Sequence, residues 1–289
     1  MARTLQGIIM SSTCTLGEMM IFRIAQTIPD GALAFHGFGS PLVQLAMHVA
    51  KRTHAPRMVL IAGATYGVNP EPPFLTATTN DWTMDRGASS SLGIGELFDL
   101  AASGRLHRMF LSGLQIDRWG NCNVTGLGES LSGLKLPGGG GGCNLSCDVG
   151  DLTLWTAAHR CPPNKHGVRK FRIVDKCDFV TSLGHRAADG TPRKQFGHVG
   201  NGPQWLVTDL GVFDFDASGH LRLHALYPDT TVEDVLANTE FAPVVSDDLT
   251  VTDAPSQKAV DIIRQLDPMR IHERELRPED RQRSFEIRG

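Results

Sequence analysis

The residues with the clearest capacity for chemistry are five consecutive glycines, Gly138–Gly142. A glycine run is costly in chain entropy, and a flexible linker is its simplest interpretation. Apolar residues flank this run on both sides, however, which favours a loop inside a folded region. Backbone N–H groups of such a loop can approach a ligand closely, and losing one oxyanion donor costs an enzyme about 2.7–4 kcal/mol. We therefore predict that the amides of Gly139, Gly140 and Gly141 stabilise a developing negative charge.

A second glycine-rich turn, Gly37–Gly39, follows an apolar segment that ends at His36. Its position between a predicted strand and a predicted helix is that of a phosphate-binding turn. Leu42 stands where a dinucleotide fingerprint has its third glycine, so a plain tight turn is an equal alternative. We interpret Gly37 and Gly39 as substrate-binding residues. His36 is a candidate base, and a packed, hydrogen-bonded histidine is the alternative interpretation.

Polar residues cluster in the segment Gln115–Asn121, directly after another predicted strand. Ligands of open α/β sheets gather beyond the carboxyl ends of the strands. Gln115, Asp117 and Asn121 are therefore candidate substrate-binding residues. A short polar turn with no ligand is the structural alternative.

Six cysteines occur in the chain, and this is not the disulfide framework of a small secreted protein. Reduced thiols and a cytoplasmic location are therefore expected. Asn144 follows the glycine run and is a candidate contact to the substrate. Cys143 is a candidate nucleophile if the loop amides lower its pKa, and a small packed thiol is the alternative. The spacing of Cys143, Cys147, His159 and Cys161 is not that of a zinc site, and no metal is predicted.

These candidate residues need a scaffold, and the apolar pattern alternates between helices and strands. Thr15–Glu18 has the form of a capping box, and it opens a helix that ends at Pro29. The strands Ala32–Phe35 and Met58–Ile61 enclose a helix that begins at Pro41, which is a β–α–β unit of a parallel sheet. Further helices are predicted at Ile94–Leu100, from Thr230, where Thr230–Glu233 again has the form of a capping box, and from Pro255 and Ser256. Further strands are predicted at Arg108–Leu111, Leu152–Thr156, Phe171–Val174, Phe179–Thr181 and Leu221–Tyr227, and the segment Trp205–Phe215 is strongly apolar with Gly211 inside it.

This pattern predicts one α/β domain over residues 1–270, with an open, mostly parallel sheet flanked by helices. From Ile271 onward, 10 of the 19 residues are charged with mixed sign. Residues 271–289 are therefore expected to form a solvated tail or to wrap a partner.

Composition and charge exclude several classes of protein. The chain of 289 residues has a net charge of -3, which argues against the concentrated basic surface of a nucleic-acid binder. No apolar run approaches the roughly 18 residues of a membrane span, and the N-terminus lacks the apolar core of a signal peptide. An enzyme with many tight turns fits the 31 glycines best.

Six segments stand in a recognisable order: Gly39–Pro41 with Arg52–Pro56, Gln115–Asn121, Leu136–Gly142, Val174–Ser182, Val207–Phe215 and Thr231–Leu236. In order and spacing they resemble the β subunit of class I CoA-transferases of the glutaconate CoA-transferase type. The resemblance covers roughly residues 5–270. Six motifs in register are strong evidence for the family.

The resemblance implies an α/β, Rossmann-like subunit that pairs with a related α subunit, usually as α₂β₂. Such enzymes move CoA between an acyl-CoA and a free carboxylic acid, with CoA as a co-substrate and no permanently bound cofactor. A glutamate of the β subunit attacks the thioester. An acyl-glutamyl anhydride forms, and a glutamyl-CoA thioester follows it.

The chain departs from that family pattern at the glutamate. Ile61 stands at its expected position, followed by Ala62 and Gly63, and we expect these three residues in the CoA pocket. No carboxylate occurs between Arg57 and Asn69, and an isoleucine cannot form an anhydride. The alternatives are therefore a derived acyl-CoA hydrolase, C–C lyase or decarboxylase acting on an acyl-CoA with a second carboxylate or carbonyl. A catalytically silent subunit and a ligand-sensing module are further alternatives.

Overall fold

A ten-stranded sheet lies at the centre of the protein, and helices cover both of its faces. The computed structural model describes residues 13–37, 40–78, 80–128 and 133–287. The helices are α1 (Leu16–Gln26), α2 (Pro41–Arg52), α3 (Ile94–Ala102), α4 (Gly142–Asp148), α5 (Val232–Asn238) and α6 (Gln257–Leu266). The strands are β1 (Thr13–Thr15), β2 (Leu33–His36), β3 (Val59–Ile61), β4 (Gly67–Val68), β5 (Ser90–Ser91), β6 (Arg108–Ser112), β7 (Gln115–Asp117), β8 (Cys122–Asn123), β9 (Asp151–Thr156), β10 (Ile173–Val174), β11 (Pro203–Thr208), β12 (Gly211–Phe215), β13 (Leu221–Leu226), β14 (Val244–Val251) and β15 (Ser284–Glu286).

The central sheet has the strand order β14-β13-β12-β11-β9-β6-β2-β3-β4-β5. Five of its nine strand pairs are parallel, and four of these form the continuous row β3-β2-β6-β9-β11. Strands that run parallel place their carboxyl ends at the same edge of a sheet. His36, Ile61, Ser112 and Thr156 therefore mark one edge. The predicted open, mostly parallel α/β sheet is confirmed.

Helices pack on both faces of this sheet, as the β–α–β pattern predicts. Apolar residues of α1, α2 and α6 form the largest hydrophobic cluster, which includes Ala34 of β2. The next residue along β2, Phe35, packs with α3 and α4 on the other face. Because successive side chains of a strand point to opposite faces, the short apolar strand is covered on both sides.

Three helices begin at caps that the sequence indicates. Thr15 accepts the N–H of Glu18, and the Glu18 carboxylate accepts the N–H of Thr15, as predicted for α1. Ser256 caps α6. The capping box of α5 pairs Thr231 with Asp234, one residue later than predicted.

One strand prediction is wrong. Phe179–Thr181 forms no strand, because the N–H groups of Thr181 and Ser182 both donate to the Cys122 carbonyl oxygen. The segment is therefore hydrogen-bonded to β8 at Cys122 alone among the described residues, and it does not pair with β8 as a strand. The apolar run Trp205–Phe215 is two antiparallel strands, β11 and β12, joined by a tight turn.

The charged C-terminal segment packs against the core, contrary to the solvated tail expected from its composition. Ile271, Leu276 and Phe285 are buried in the cluster of α1 and α2. Strand β15 pairs antiparallel with β1. The ring of His272 fills a space that Gly17 leaves open, since a Cβ there would lie 2.7 Å from the ring Cδ2. The burial of these apolar side chains therefore holds the segment against the core in spite of its many charges. The domain boundary after residue 270 stays a prediction.

In the described residues, no helix is both long and apolar enough to cross a membrane.

Candidate active site

The edge cavity, of about 560 Å³, opens at the sheet edge where the parallel strands end. Its walls contain the last residues of β2 and β6, residues of β9 and α3, the glycine loop Gly138–Gly142, and Glu275. Small-molecule sites usually have volumes of about 300–1,000 Å³. Open α/β sheets bind ligands at this edge. The glycine loop and the turn after β2 therefore meet in one cavity of suitable size.

The glycine loop brings three unpaired backbone amides to the edge cavity. The N–H groups of Gly139, Gly140 and Gly141 donate to no acceptor in the residues described. The next amide, that of Gly142, is paired with the Gly139 carbonyl oxygen at 2.8 Å. Gly140 has a φ of +50°, which glycine adopts with little strain. Amide donors without a protein partner at a cavity wall are able to bind an oxygen atom of a ligand.

His36 lies at the cavity wall but has no free ring nitrogen. Its Nε2 accepts the Gly63 N–H at 3.0 Å, and its Nδ1 donates to the Gly37 carbonyl oxygen at 2.9 Å. Burial lowers the pKa of His36 to about 4. The ring is therefore neutral and fully paired near pH 7. The geometry supports the packed histidine of the sequence alternative, which fixes the Gly37 turn, and not the base.

The residues at the end of β3 and directly after it pack next to the edge cavity without lining it. Ile61 is fully buried in the cluster of α3 and α4, and Ala62 is buried next to it. A Cβ at Gly63 would lie 2.5 Å from the carbonyl oxygens of His36 and Gly37, so a glycine is required against this turn. The cavity wall contains none of Ile61, Ala62 and Gly63. The geometry therefore favours a supporting position for these three residues, and their contact with a substrate stays a prediction.

An acidic side chain that the sequence analysis missed enters the edge cavity from the C-terminal segment. Glu275 ends a short 3₁₀ helix, Ile271–Glu275, which packs on α2. Its Oε2 accepts the N–H of Leu42 at 2.9 Å. Burial raises the pKa of Glu275 to about 8, although the hydrogen bond from Leu42 opposes the shift. The carboxyl group stands in a run of charges, where no sequence signal separates it from solvated neighbours.

The polar cluster Gln115–Asn121 lies outside the edge cavity, and its Gln115, Asp117 and Asn121 side chains form hydrogen bonds within the fold. Asp117 accepts the backbone N–H groups of Trp119 and Asn121, and also the side-chain amide of Asn121. Gln115 accepts from a side chain of β8 and from a backbone N–H of the loop after β10. The described geometry therefore supports the structural alternative, a polar turn.

The residues directly after the glycine loop lie beside the cavity and not on its wall. The Cys143 thiol donates to the Gly140 carbonyl oxygen at 3.3 Å. Asn144 is exposed on α4. Of the two glycines predicted in the turn after β2, Gly37 lines the cavity. Gly39 lies outside the residues that the structure describes.

The residues considered for zinc have other partners. The ring nitrogens of His159 pair with the hydroxyl groups of Thr208 and Thr239 at 3.1 and 2.9 Å. Within residues 13–37, 40–78, 80–128 and 133–287, no group of three or more His, Cys, Asp or Glu side chains is arranged to hold a metal ion.

A family profile and several known proteins are similar to this chain over most of its length. The sequence profile described as Coenzyme A transferase matches residues 17–238. The B subunit of 3-oxoadipate CoA-transferase from Pseudomonas knackmussii is 30% identical over 260 residues, which cover 89% of this chain and 94% of that protein. The B subunit of glutaconate CoA-transferase from Acidaminococcus fermentans is 30% identical over 259 residues, which cover 87% and 92%.

Among solved structures, the decarboxylase AibA/AibB is similar over almost the whole fold. Its TM-score is 0.76 at 30% identity, and the match covers 91% of this chain and 98% of the other. The resemblance carried by the six sequence segments is therefore confirmed. The chain belongs to the coenzyme A transferase family, in which it corresponds to the B subunit.

Proposed function

We propose that this chain binds an acyl-CoA thioester in the edge cavity, as the B subunit of a heteromeric enzyme. The relatives named above are B subunits, which supports an A subunit of the same family as the partner. The complex contains two copies of each subunit. Coenzyme A is the co-substrate, and the reaction needs no permanently bound cofactor.

The observation that carries this proposal is the row of free amides in the glycine loop. The N–H groups of Gly139, Gly140 and Gly141 border the cavity without an acceptor in the described residues. Negative charge develops on a thioester oxygen when the carbonyl group is attacked or becomes an enolate. Preorganised backbone donors stabilise that charge at no cost in reorganisation.

The reaction is a bond cleavage at carbon, most simply a decarboxylation, and not CoA transfer through a glutamyl thioester. Transfer needs a carboxylate nucleophile, and β3 ends at Ile61. The acidic side chain that the described lining does contain, Glu275, has a raised pKa and is mainly protonated at neutral pH. The similarity to the decarboxylase AibA/AibB supports the same class of reaction. A suitable substrate is an acyl-CoA with a second carboxylate.

We propose that the reaction takes place in the cytoplasm. All six cysteines are unpaired, including the buried Cys14, Cys122, Cys161 and Cys177. Reduced thiols are the usual state in that compartment.

The test uses the complex of this chain with the A subunit encoded by its gene neighbour. The complex is supplied with CoA monothioesters of dicarboxylic acids, with and without acetate, and the release of CO₂ and the formation of acetyl-CoA are measured. We expect CO₂ release that does not depend on acetate. Acetate-dependent acetyl-CoA, together with a trapped enzyme–CoA thioester, would establish the transfer reaction instead. Full activity of the A subunit alone would identify this chain as a silent subunit.

A further inference from the structure

Glu275 occupies an unusual position for a residue of a charged C-terminal segment. It lines the edge cavity, whose described lining contains no lysine or arginine. One of its oxygens accepts the Leu42 N–H and so caps the start of α2. Its other oxygen, Oε1, has no hydrogen-bond partner in the described part of the chain. Capping therefore explains one oxygen of this carboxyl group and leaves the second available in the cavity.

The ionisable groups around Glu275 provide no positive charge for it. His36 at the end of β2 and His48 on α2 are neutral, because burial lowers their pKa to about 4 and about 3. In the same 3₁₀ helix, His272 pairs with Asp267, Glu273 pairs with the neighbouring arginine at position 270, and the side chain of Arg274 is exposed. Tyr66 also lines the cavity.

An apolar environment without a counter-charge favours the protonated form of a carboxyl group. Burial raises the pKa of Glu275 to about 8, so this side chain carries a transferable proton near pH 7. The start of α2 opposes this shift, because the positive end of a helix dipole favours a carboxylate that caps it. Burial nevertheless raises the pKa of Glu275, and its second oxygen, Oε1, remains available in the cavity.

We propose that Glu275 is the catalytic carboxyl group of the edge cavity and donates a proton to the acyl chain of the bound CoA thioester. The inference rests on the proposed function and adds the residue that completes the reaction. It assigns catalysis to a side chain from the C-terminal segment, far in sequence from the end of β3.

The proton transfer follows the loss of CO₂. When the bond to the departing carboxylate breaks, its electron pair moves through the adjacent carbon into the thioester oxygen, which the glycine amides hold. The O–H bond of Glu275 then breaks, its proton goes to that carbon, and the returning electron pair forms the C–H bond. Glu275 is left as a carboxylate and regains a proton from water.

The test compares Glu275→Gln, Glu275→Ala and Glu279→Gln in the complex with the A subunit. Glutamine keeps an oxygen that can accept the Leu42 N–H but has no acidic proton, whereas alanine loses both. Glu279 is an exposed acid of the same segment and provides the matched control. We expect Glu275→Gln to lower kcat at least about 100-fold with little change in KM, as for the loss of a general acid. Glu279→Gln keeps the wild-type rate.

The pH profile of kcat adds a readout that capping does not affect, and the isotope content of the product reports which carbon is protonated. Wild-type kcat falls as the pH rises through about 8, because the acid form of Glu275 is lost, and the residual kcat of Glu275→Gln lacks this step. In D₂O, the wild-type product gains one deuterium at the carbon that lost CO₂. A full rate for Glu275→Gln combined with a loss for Glu275→Ala would reduce Glu275 to a helix cap and overturn the proposal. A CoA thioester trapped on Glu275 would overturn it as well.

A measurement without substrate separates this inference from the proposed function. Infrared difference spectra of the complex between about pH 6 and about pH 10 should contain a protonated carboxyl band that titrates and is missing in Glu275→Gln. Absence of this band contradicts the inference, whatever the substrate is. Failure of the wild-type complex to bind a non-cleavable thioether analogue of acyl-CoA contradicts the proposed function instead.

Discussion

The edge cavity and the turn at Asp117–Asn121 both collect polar groups near the ends of strands, yet they differ in how those groups are paired. In the turn, Asp117 accepts three hydrogen bonds from two residues of the same loop. At the edge cavity, the amides of Gly139–Gly141 and one oxygen of Glu275 have no partner in the described residues. Polar groups that satisfy each other hold a loop in shape, whereas unsatisfied groups at a cavity wall are available to a ligand.

The largest expected effect is the loss of activity when one free amide of the glycine loop is removed. Gly141 has a φ of -74°, which proline also adopts, so Gly141→Pro removes one free amide of the glycine loop. We expect kcat of the complex to fall by about 100–1,000-fold, the cost of one oxyanion donor. Steady-state turnover of acyl-CoA measures the effect.

Gly141→Ala is the matched control for this substitution, because it adds a Cβ against the Phe98 ring but keeps the N–H. We expect it to retain most of the activity. Equal losses for both variants would mean that the added carbon, and not the missing amide, is responsible.

The second prediction concerns stability and the Asp117 turn. Asp117→Ala leaves buried N–H donors without an acceptor, at a cost of about 1–3 kcal/mol for each unsatisfied group. We expect a lower free energy of unfolding in urea and an unchanged kcat for each folded molecule. Asp189 accepts the Thr191 N–H in a similar but exposed turn, and Asp189→Ala should cost much less. A loss of kcat in folded Asp117→Ala would place this turn in the site after all.

The third prediction is a smaller effect, the pH dependence of stability. Between about 4.5, the ordinary pKa of glutamate, and about 8, the folded chain holds a proton on Glu275 that the unfolded chain has lost. The unfolded state then binds fewer protons, so the free energy of unfolding of the wild type falls as the pH rises through this window. Glu275→Gln removes this contribution. Urea unfolding at several pH values should give curves for the two proteins that diverge, and parallel curves would refute the raised pKa.

The smallest expected effect is that of Cys143→Ser. The hydroxyl group can replace the thiol in the hydrogen bond to the Gly140 carbonyl oxygen, and the side chain does not line the edge cavity. We therefore expect kcat close to that of the wild type. Complete inactivation, with the fold intact by circular dichroism, would reinstate this cysteine as a nucleophile.

The fold and part of the site could be predicted from the sequence, because they depend on local patterns. Apolar periodicity and caps such as Thr15–Glu18 identify α1, α2 and the parallel strands between the helices. The glycine run is visible because consecutive glycines have few structural explanations. The place of Glu275 in the cavity could not be predicted, since it depends on a long-range contact with Leu42 and on burial. The hydrogen bonds of Asp117 are also invisible in sequence, where a polar turn and a binding site look alike.

The most direct test of the central claim is a structure of the two-subunit complex with a thioether analogue of acyl-CoA. We predict that the carbonyl oxygen of the acyl group lies within about 3.1 Å of two amides of the glycine loop. The Glu275 carboxyl group should face the adjacent carbon. An acyl group bound elsewhere, for example in the polar cavity beside His185 and Arg193, would contradict the account.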